Sequence, residues 1–193
     1  MSKSNNMEVK ATRNVNPWVL LWSRCAWAYQ QASEGEVQEI YHLFSMLLCA
    51  FSLEAFMNHL IRINYPGDWE AFERISKPDE KLDKLSELLK FNLDKGRRPF
   101  QTFKSIFDFR NDIVHAKTVK LEATSTFPID KFLKADELPP MPLTNWEKNL
   151  TAKDAKRFYE DSKKIIAFLH ERSDLGDDPF DGAYSRTTFE GNL

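Results

Sequence analysis

Between Tyr41 and Ile63 the chain is apolar on nearly every side of a helix, and no other stretch constrains the fold as much. A helix without a polar face has to be enclosed by others. It is read as running from Glu36 to about Asn64, where Tyr65-Pro66-Gly67 stops it, and as the central, most buried element. The punctuation around it predicts more helices. Asn16-Pro17 offers a cap residue and then proline at the first helical position, opening a helix through Trp18 to Tyr29 that Ser33-Glu34-Gly35 interrupts. A short helical stretch from Trp69 to Arg74 leads to Ser76-Lys77-Pro78-Asp79, a start signal for a helix bearing Leu82, Leu85, Leu88 and Leu89 and stopping near Gly96. A fourth helix begins near Pro99, carries Phe100, Phe103, Ile106 and Phe107, and ends around residues 116–120. Thr151-Ala152-Lys153-Asp154 starts the last, with Phe158, Ser162, Ile165, Ile166 and Leu169 on one face. Residues 117–146 read as a connection too long for mere spacing, able to cover a site or hold a short strand pair.

With six glycines in 193 residues and no sustained period-two alternation, the expected class is all-α: about five main helices, with the long connection before the last. The length suits a single domain over residues 16–172, with a flexible N-terminus at 1–15 and a polar, mobile tail at 173–193. A net charge of -2 excludes the globally basic footprint of a protein that coats DNA, so no DNA partner is expected, although a local basic cleft is compatible with it. Two cysteines, Cys25 and Cys49, both in apolar helical patterns, give no disulfide framework and suit a reducing cytoplasm. No signal peptide is read at the polar N-terminus, and the most apolar run, Ile40 to Leu53, is shorter than the roughly 18 apolar residues of a membrane span, so no membrane partner is expected.

Several chemistries lack their motifs. There is no glycine-rich phosphate loop, nucleophile elbow or paired-cysteine spacing. Asp108 and Asp112 beside His115 read as a solvated face rather than a metal site, and Asp177-Asp178 with Asp181 lacks calcium-loop spacing; no metal and no cofactor are expected. His42 and His59 are read as satisfied core or interface histidines, and His170 as a partner for a helix C-terminus.

One residue resists a purely structural reading. At about 100° per residue, Phe103, Ile106, Phe107, Ile113 and Val114 cluster in a sector about 120° wide, and Arg110 sits at its centre. An unpaired charge out of water costs several kcal/mol, so Arg110 has to snorkel, find a partner, or meet an anion at an interface. A buried acid such as Glu54 would make it architecture. Asn111, His115, Asp108 and Lys104 occupy the adjoining polar edge, with Asn111 and His115 one turn apart.

Arg110-Asn111-Asp112-Ile113-Val114-His115 resembles the R-x4-6-H signature of HEPN (higher eukaryotes and prokaryotes nucleotide-binding) domains, including the polar residue directly after the arginine. The resemblance spans Asn16 to about Arg172 as an arrangement of helices. It implies a helical bundle dimerising through the motif helix, so that two copies of Arg110 and His115 share a cleft. It also implies a metal-independent endoribonuclease of toxin–antitoxin or other defence systems, with an antitoxin as a possible protein partner, or else a silent module for dimerisation, nucleotide binding or assembly. Lys117 stands where one toxin subfamily carries the tyrosine through which it is silenced by nucleotidylation.

The residues fit RNA cleavage on their own terms. A histidine, here His115, can take a proton from a ribose 2′-hydroxyl or give one to the leaving 5′-oxygen. Arg110 can stabilise the charge growing on a pentacoordinate phosphate. Asn111 can orient His115 or bind phosphate, Glu54 and Asp112 act in support, and Arg97, Arg98, Lys104 and Lys117 offer backbone contacts for RNA.

Overall fold

The computed structural model describes residues 9–32, 38–124, 126, 141–176, 178–180 and 185–191, with the backbone alone for 73–75, 186 and 189–191. Among these residues it is 65% helix with one two-stranded sheet, as the all-α reading expects. The elements are β1 (Val9–Val15), α1 (Pro17–Gln31), α2 (Gln38–Asn64), α3 (Trp69–Ile75), α4 (Pro78–Leu88), α5 (Phe100–Val114), α6 (Asn145–Asn149), α7 (Ala152–Arg172) and β2 (Ser185–Gly191).

The long apolar helix is central, as predicted. Met46, Cys49, Ala50, Leu53, Phe56, Met57 and Leu60 of α2 are wholly buried. α1 runs antiparallel to it: Trp18 packs on Phe56 at 4.8 Å, and the Cys25 and Cys49 sulfurs, both free thiols, lie 3.4 Å apart about two turns away. α5 runs antiparallel to α7, with Phe109 edge-on to Phe158 near one end and Arg98 and Thr102 on Asp161 near the other. α2 is nevertheless only partly enclosed. By length and composition alone it is apolar enough to cross a bilayer, with a mean hydropathy of 1.6 over its best window, but only 44% of that window is buried. Ile40, Phe44 and Phe51, spaced at helical intervals with half-buried Leu47 between them, form an outward stripe left uncovered by α1, α4, α5 and α7.

Two expectations need correction. α4 ends at Leu88, well before Gly96, because Lys90 takes a positive φ of 51° and redirects the chain. Phe91 then packs against Phe168 at 5.0 Å and Phe100 at 6.2 Å, a burial that continued helix would forgo. The ends of the chain are paired: β1 and β2 run antiparallel from Val9↔Gly191 to Val15↔Ser185, where the sequence suggested a flexible N-terminus and a mobile tail. The residues are suitable, with Val9, Thr12 and Val15 facing a strand that carries Thr187 and Thr188, but the partner lies at the far end of the chain, where no local signal reaches.

In the long connection, Thr144 and Glu147 form a reciprocal cap that starts α6. The strand pair considered for this connection is not found at its described positions 117–124, 126 and 141–144, and its remaining residues, 125 and 127–140, lie outside the described residues.

Candidate active site at the end of helix α5

The buried face of α5 is Thr102, Phe103, Ile106, Phe107 and Phe109, with Arg110 and Ile113 half-buried. Its centre lies nearer Ile106 than Arg110, because Phe109 is claimed by α7 at 5.9 Å from Phe158. Val114, expected inside the apolar sector, is 54% exposed. Arg110 thus sits on the shoulder of the face rather than at its middle.

Its partner is the acid named in the sequence reading. Arg110 donates from Nη2 to Glu54 Oε2 at 2.7 Å, bringing α5 against α2. Its guanidinium carbon lies 5.5 Å from the Phe107 ring centroid, and its Nε–H is buried with no acceptor among the described residues. A second cation joins the pair. Lys81, the fourth residue of α4, reaches Glu54 Oε1 at 3.4 Å. The side chains are 16% (Arg110), 27% (Glu54) and 4% (Lys81) exposed, so two cations share one carboxylate in a largely desolvated place. This cluster carries a formal charge of about +1 where low dielectric strengthens electrostatics, which favours an incoming anion.

His115 follows the last helical residue of α5. Its backbone N–H closes the helix on the Asn111 carbonyl at 3.0 Å, and its side chain is exposed. No side-chain hydrogen bond joins Asn111 to His115 among the described residues, so the orienting role expected of Asn111 is not built into the isolated chain. Along the helix His115 is about 140° round and ~7.5 Å on from Arg110.

The remaining predicted residues divide among three places. Lys104 and Asp108 form an exposed ion pair one turn apart. Asp112 lies on the far side of α5 from Glu54, beside Lys117 in a groove of about 390 Å³ whose other walls include Trp146 and Lys148, so it does not support Arg110 directly. Arg97 and Arg98 stand at the opposite end of α5, ~18 Å of helix from Arg110. Arg98 is largely committed there: its Nε and Nη2 fork onto wholly buried Asp161 at 2.8 and 2.9 Å, and the Thr102 hydroxyl also donates to that carboxylate. Sequence reasoning missed Lys81, Trp146 and Lys148. Lys81 had a readable signal, since it directly precedes buried Leu82 and so flanks an apolar face as Arg110 does.

Other nucleophiles are poorly placed. Burial, then a hydrogen bond with Cys25, pushes the Cys49 thiol up, leaving it protonated at neutral pH and out of reach of substrate. Comparison with family models, with curated proteins and with solved structures returns no match.

Proposed function

We propose that this chain is a metal-independent endoribonuclease of HEPN type, acting as a homodimer and serving as a toxin or defence effector in the cytoplasm. The observation that supports this reading most is the partly desolvated Arg110–Glu54–Lys81 cluster with its excess positive charge, one and a half turns from an exposed histidine. RNA enters with a phosphate on the free edge of Arg110. The ribose 2′-oxygen attacks phosphorus, and the bond from phosphorus to the 5′-oxygen breaks. His115 takes the 2′-hydroxyl proton or supplies one to the departing 5′-oxygen, and the product is a 2′,3′-cyclic phosphate. Lys117, Lys148 and Trp146 suit a flanking nucleotide, two cations for the backbone and one ring for stacking.

The uncovered apolar residues Phe44, Phe51 and Val114 suit a second copy, whose approach would face the two α5 ends toward one another. A catalytically silent module for dimerisation, nucleotide binding or partner assembly is the second reading, and the Glu54 pairing favours it, since Arg110 already has an anion. RNA cleavage in the presence of EDTA separates the two. The ribonuclease reading expects wild type to cut and His115→Ala, an exposed substitution that leaves the core intact, to lose about 10²–10⁴-fold in rate. Full activity in that variant would sink the catalytic role of His115, and intact RNA with wild type would favour the silent module.

A further inference from the structure

The groove beside the last turn of α5 gathers charged side chains that pair with nothing. Its volume of about 390 Å³ is enough for one nucleotide. It is lined by Asp112 of α5, by Lys117, Val119 and Leu121 of the stretch that follows, and by Trp146 and Lys148 of α6. Lys117, Val119 and Leu121 recur at every second residue of an extended segment, so one side of that segment faces the space. The side chains of Asp112, Lys117 and Lys148 are exposed and enter no ion pair or hydrogen bond among the described residues. Trp146 is half-buried against the core, and its ring meets no other aromatic ring among the described residues.

These groups suit a flat base that carries phosphate. An indole and two aliphatic side chains offer surfaces for stacking, and two lysines suit the backbone. The carboxylate is the selective element, because it accepts hydrogen bonds and donates none. Of the four RNA bases, guanine alone presents two adjacent donors, N1–H and the N2 amino group, on its Watson–Crick edge. Adenine and cytosine each set one amino donor beside an acceptor nitrogen, and uracil sets its single N–H between two acceptor oxygens. Asp112 can therefore meet guanine with two parallel charge-assisted bonds, whereas with any other base one carboxylate oxygen faces a lone pair. The backbone of residues 117–121 makes no hydrogen bond among the described residues, which leaves N–H donors on the same stretch for the guanine O6.

We propose that this groove is a guanine site, in which Asp112 accepts from N1–H and the N2 amino group, Trp146 stacks on the base, and Lys117 and Lys148 hold the adjoining phosphates. Asp112 and His115 are three residues apart on neighbouring sides of α5, so a guanine held here lies beside His115. The cut then falls next to a guanosine. That placement of the cut rests on the ribonuclease reading; the preference for guanine does not.

The test titrates GMP, AMP, CMP and UMP separately into the full chain at constant ionic strength. Binding is read on the Trp146 indole N–H signal in a ¹⁵N–¹H correlation spectrum, with five tryptophans to resolve and Trp146 assigned by Trp146→Phe. GMP is expected to give a saturable shift with a midpoint at least about tenfold lower than the other three. That advantage is lost in Asp112→Asn, an exposed change that leaves the melting temperature unaltered. Both proteins are then given an oligouridylate with one internal guanosine, in EDTA; wild type should cut beside the guanosine and Asp112→Asn should lose that preference. Selective GMP binding with the oligonucleotide left intact keeps the guanine site, assigns it to a free nucleotide and counts against the ribonuclease reading. Cleavage without selective GMP binding keeps the ribonuclease reading and overturns the guanine site. Equal midpoints for the four nucleotides, no saturable GMP shift, or an unchanged GMP preference in folded Asp112→Asn likewise overturns it.

Discussion

Replacing Glu54 by Gln isolates the charge that holds α2, α4 and α5 together while keeping the shape and most hydrogen-bonding capacity. Without the carboxylate, Arg110 and Lys81 are left as two like charges, 16% and 4% exposed, with no other acid paired to them among the described residues. Breaking a buried pair by removing one partner costs about 3–5 kcal/mol. Glu54 is itself 27% exposed and its contact with Lys81 is a long 3.4 Å, so water screens part of the loss and ~2–4 kcal/mol is the expected cost. For a domain of this size each kcal/mol lowers Tm by ~2–4 °C, giving a drop of roughly 5–15 °C. Urea unfolding followed by far-UV circular dichroism measures the same quantity at fixed temperature. Arg110→Met is the control. It removes one cation and leaves Lys81 on Glu54, so it should cost about 1 kcal/mol or less, and a double-mutant cycle should return a coupling of at least ~1.5 kcal/mol. A Glu54→Gln change within ~0.5 kcal/mol of wild type would show that the cluster is effectively solvated, and the case for Arg110 as a primed anion site would go with it.

Two further outcomes follow from the surface and from titration. Phe51→Asp puts a charge into the uncovered stripe of α2; under the proposed pairing, sedimentation should find wild type as a dimer and this variant as a monomer at the same concentration, with Tm of the monomer little changed because Phe51 already faces outward. Stability should fall on mild acidification. His59 has a lowered pKa in the folded chain, so the unfolded chain binds its proton first; stability is flat above the ordinary value of 6.5 and declines as pH drops through it toward the folded value. Denaturation midpoints measured from about pH 8 to about pH 5 should show this slope, and it should shrink in His59→Gln. An equal slope in both would remove His59 as its source.

Much of this architecture was legible because it is local. The start at Asn16-Pro17, the stop at Tyr65-Pro66-Gly67 and the start at Thr151 each concern a few neighbouring residues, and α1, α2 and α7 begin or end within about two residues of those signals, although Asn16 makes no side-chain capping bond. What was lost depends on contacts between distant positions. Nothing near Val9 announces Ser185–Gly191, nothing near Arg98 announces Asp161, and the turn of the buried face of α5 toward Phe109 depends on Phe158. Glu54 was found for a different reason. An arginine on an apolar face requires an acid, and α2 offers few of them, so electrostatic necessity narrowed a non-local choice that propensity alone would have left open. The same necessity holds for Lys81, a lysine beside wholly buried Leu82 that also requires an acid and shares Glu54.

The relation of Arg110 to His115 bears most directly on whether catalysis takes one chain or two. Arg110 points toward α2, while His115 lies about 140° round α5 and ~7.5 Å further along, so a phosphate seated on the first is poorly aligned with the second. A second copy laid across Phe44, Phe51 and Val114 can bring its own His115 opposite the Arg110 of the first. Arg110→Met and His115→Ala, each expected to be inactive alone under the proposed function, make the comparison. If each site takes Arg110 from one chain and His115 from the other, a mixed dimer has one doubly damaged site and one intact site, and random reassortment should restore about a quarter of wild-type cleavage. If each chain supplies both residues to its own site, every chain in the mixture carries a lesion and no activity returns. Restoration after unfolding and refolding the variants together, absent when they are merely mixed, would assign the site to the pair; no restoration despite a verified mixed dimer would refute a site shared in this way.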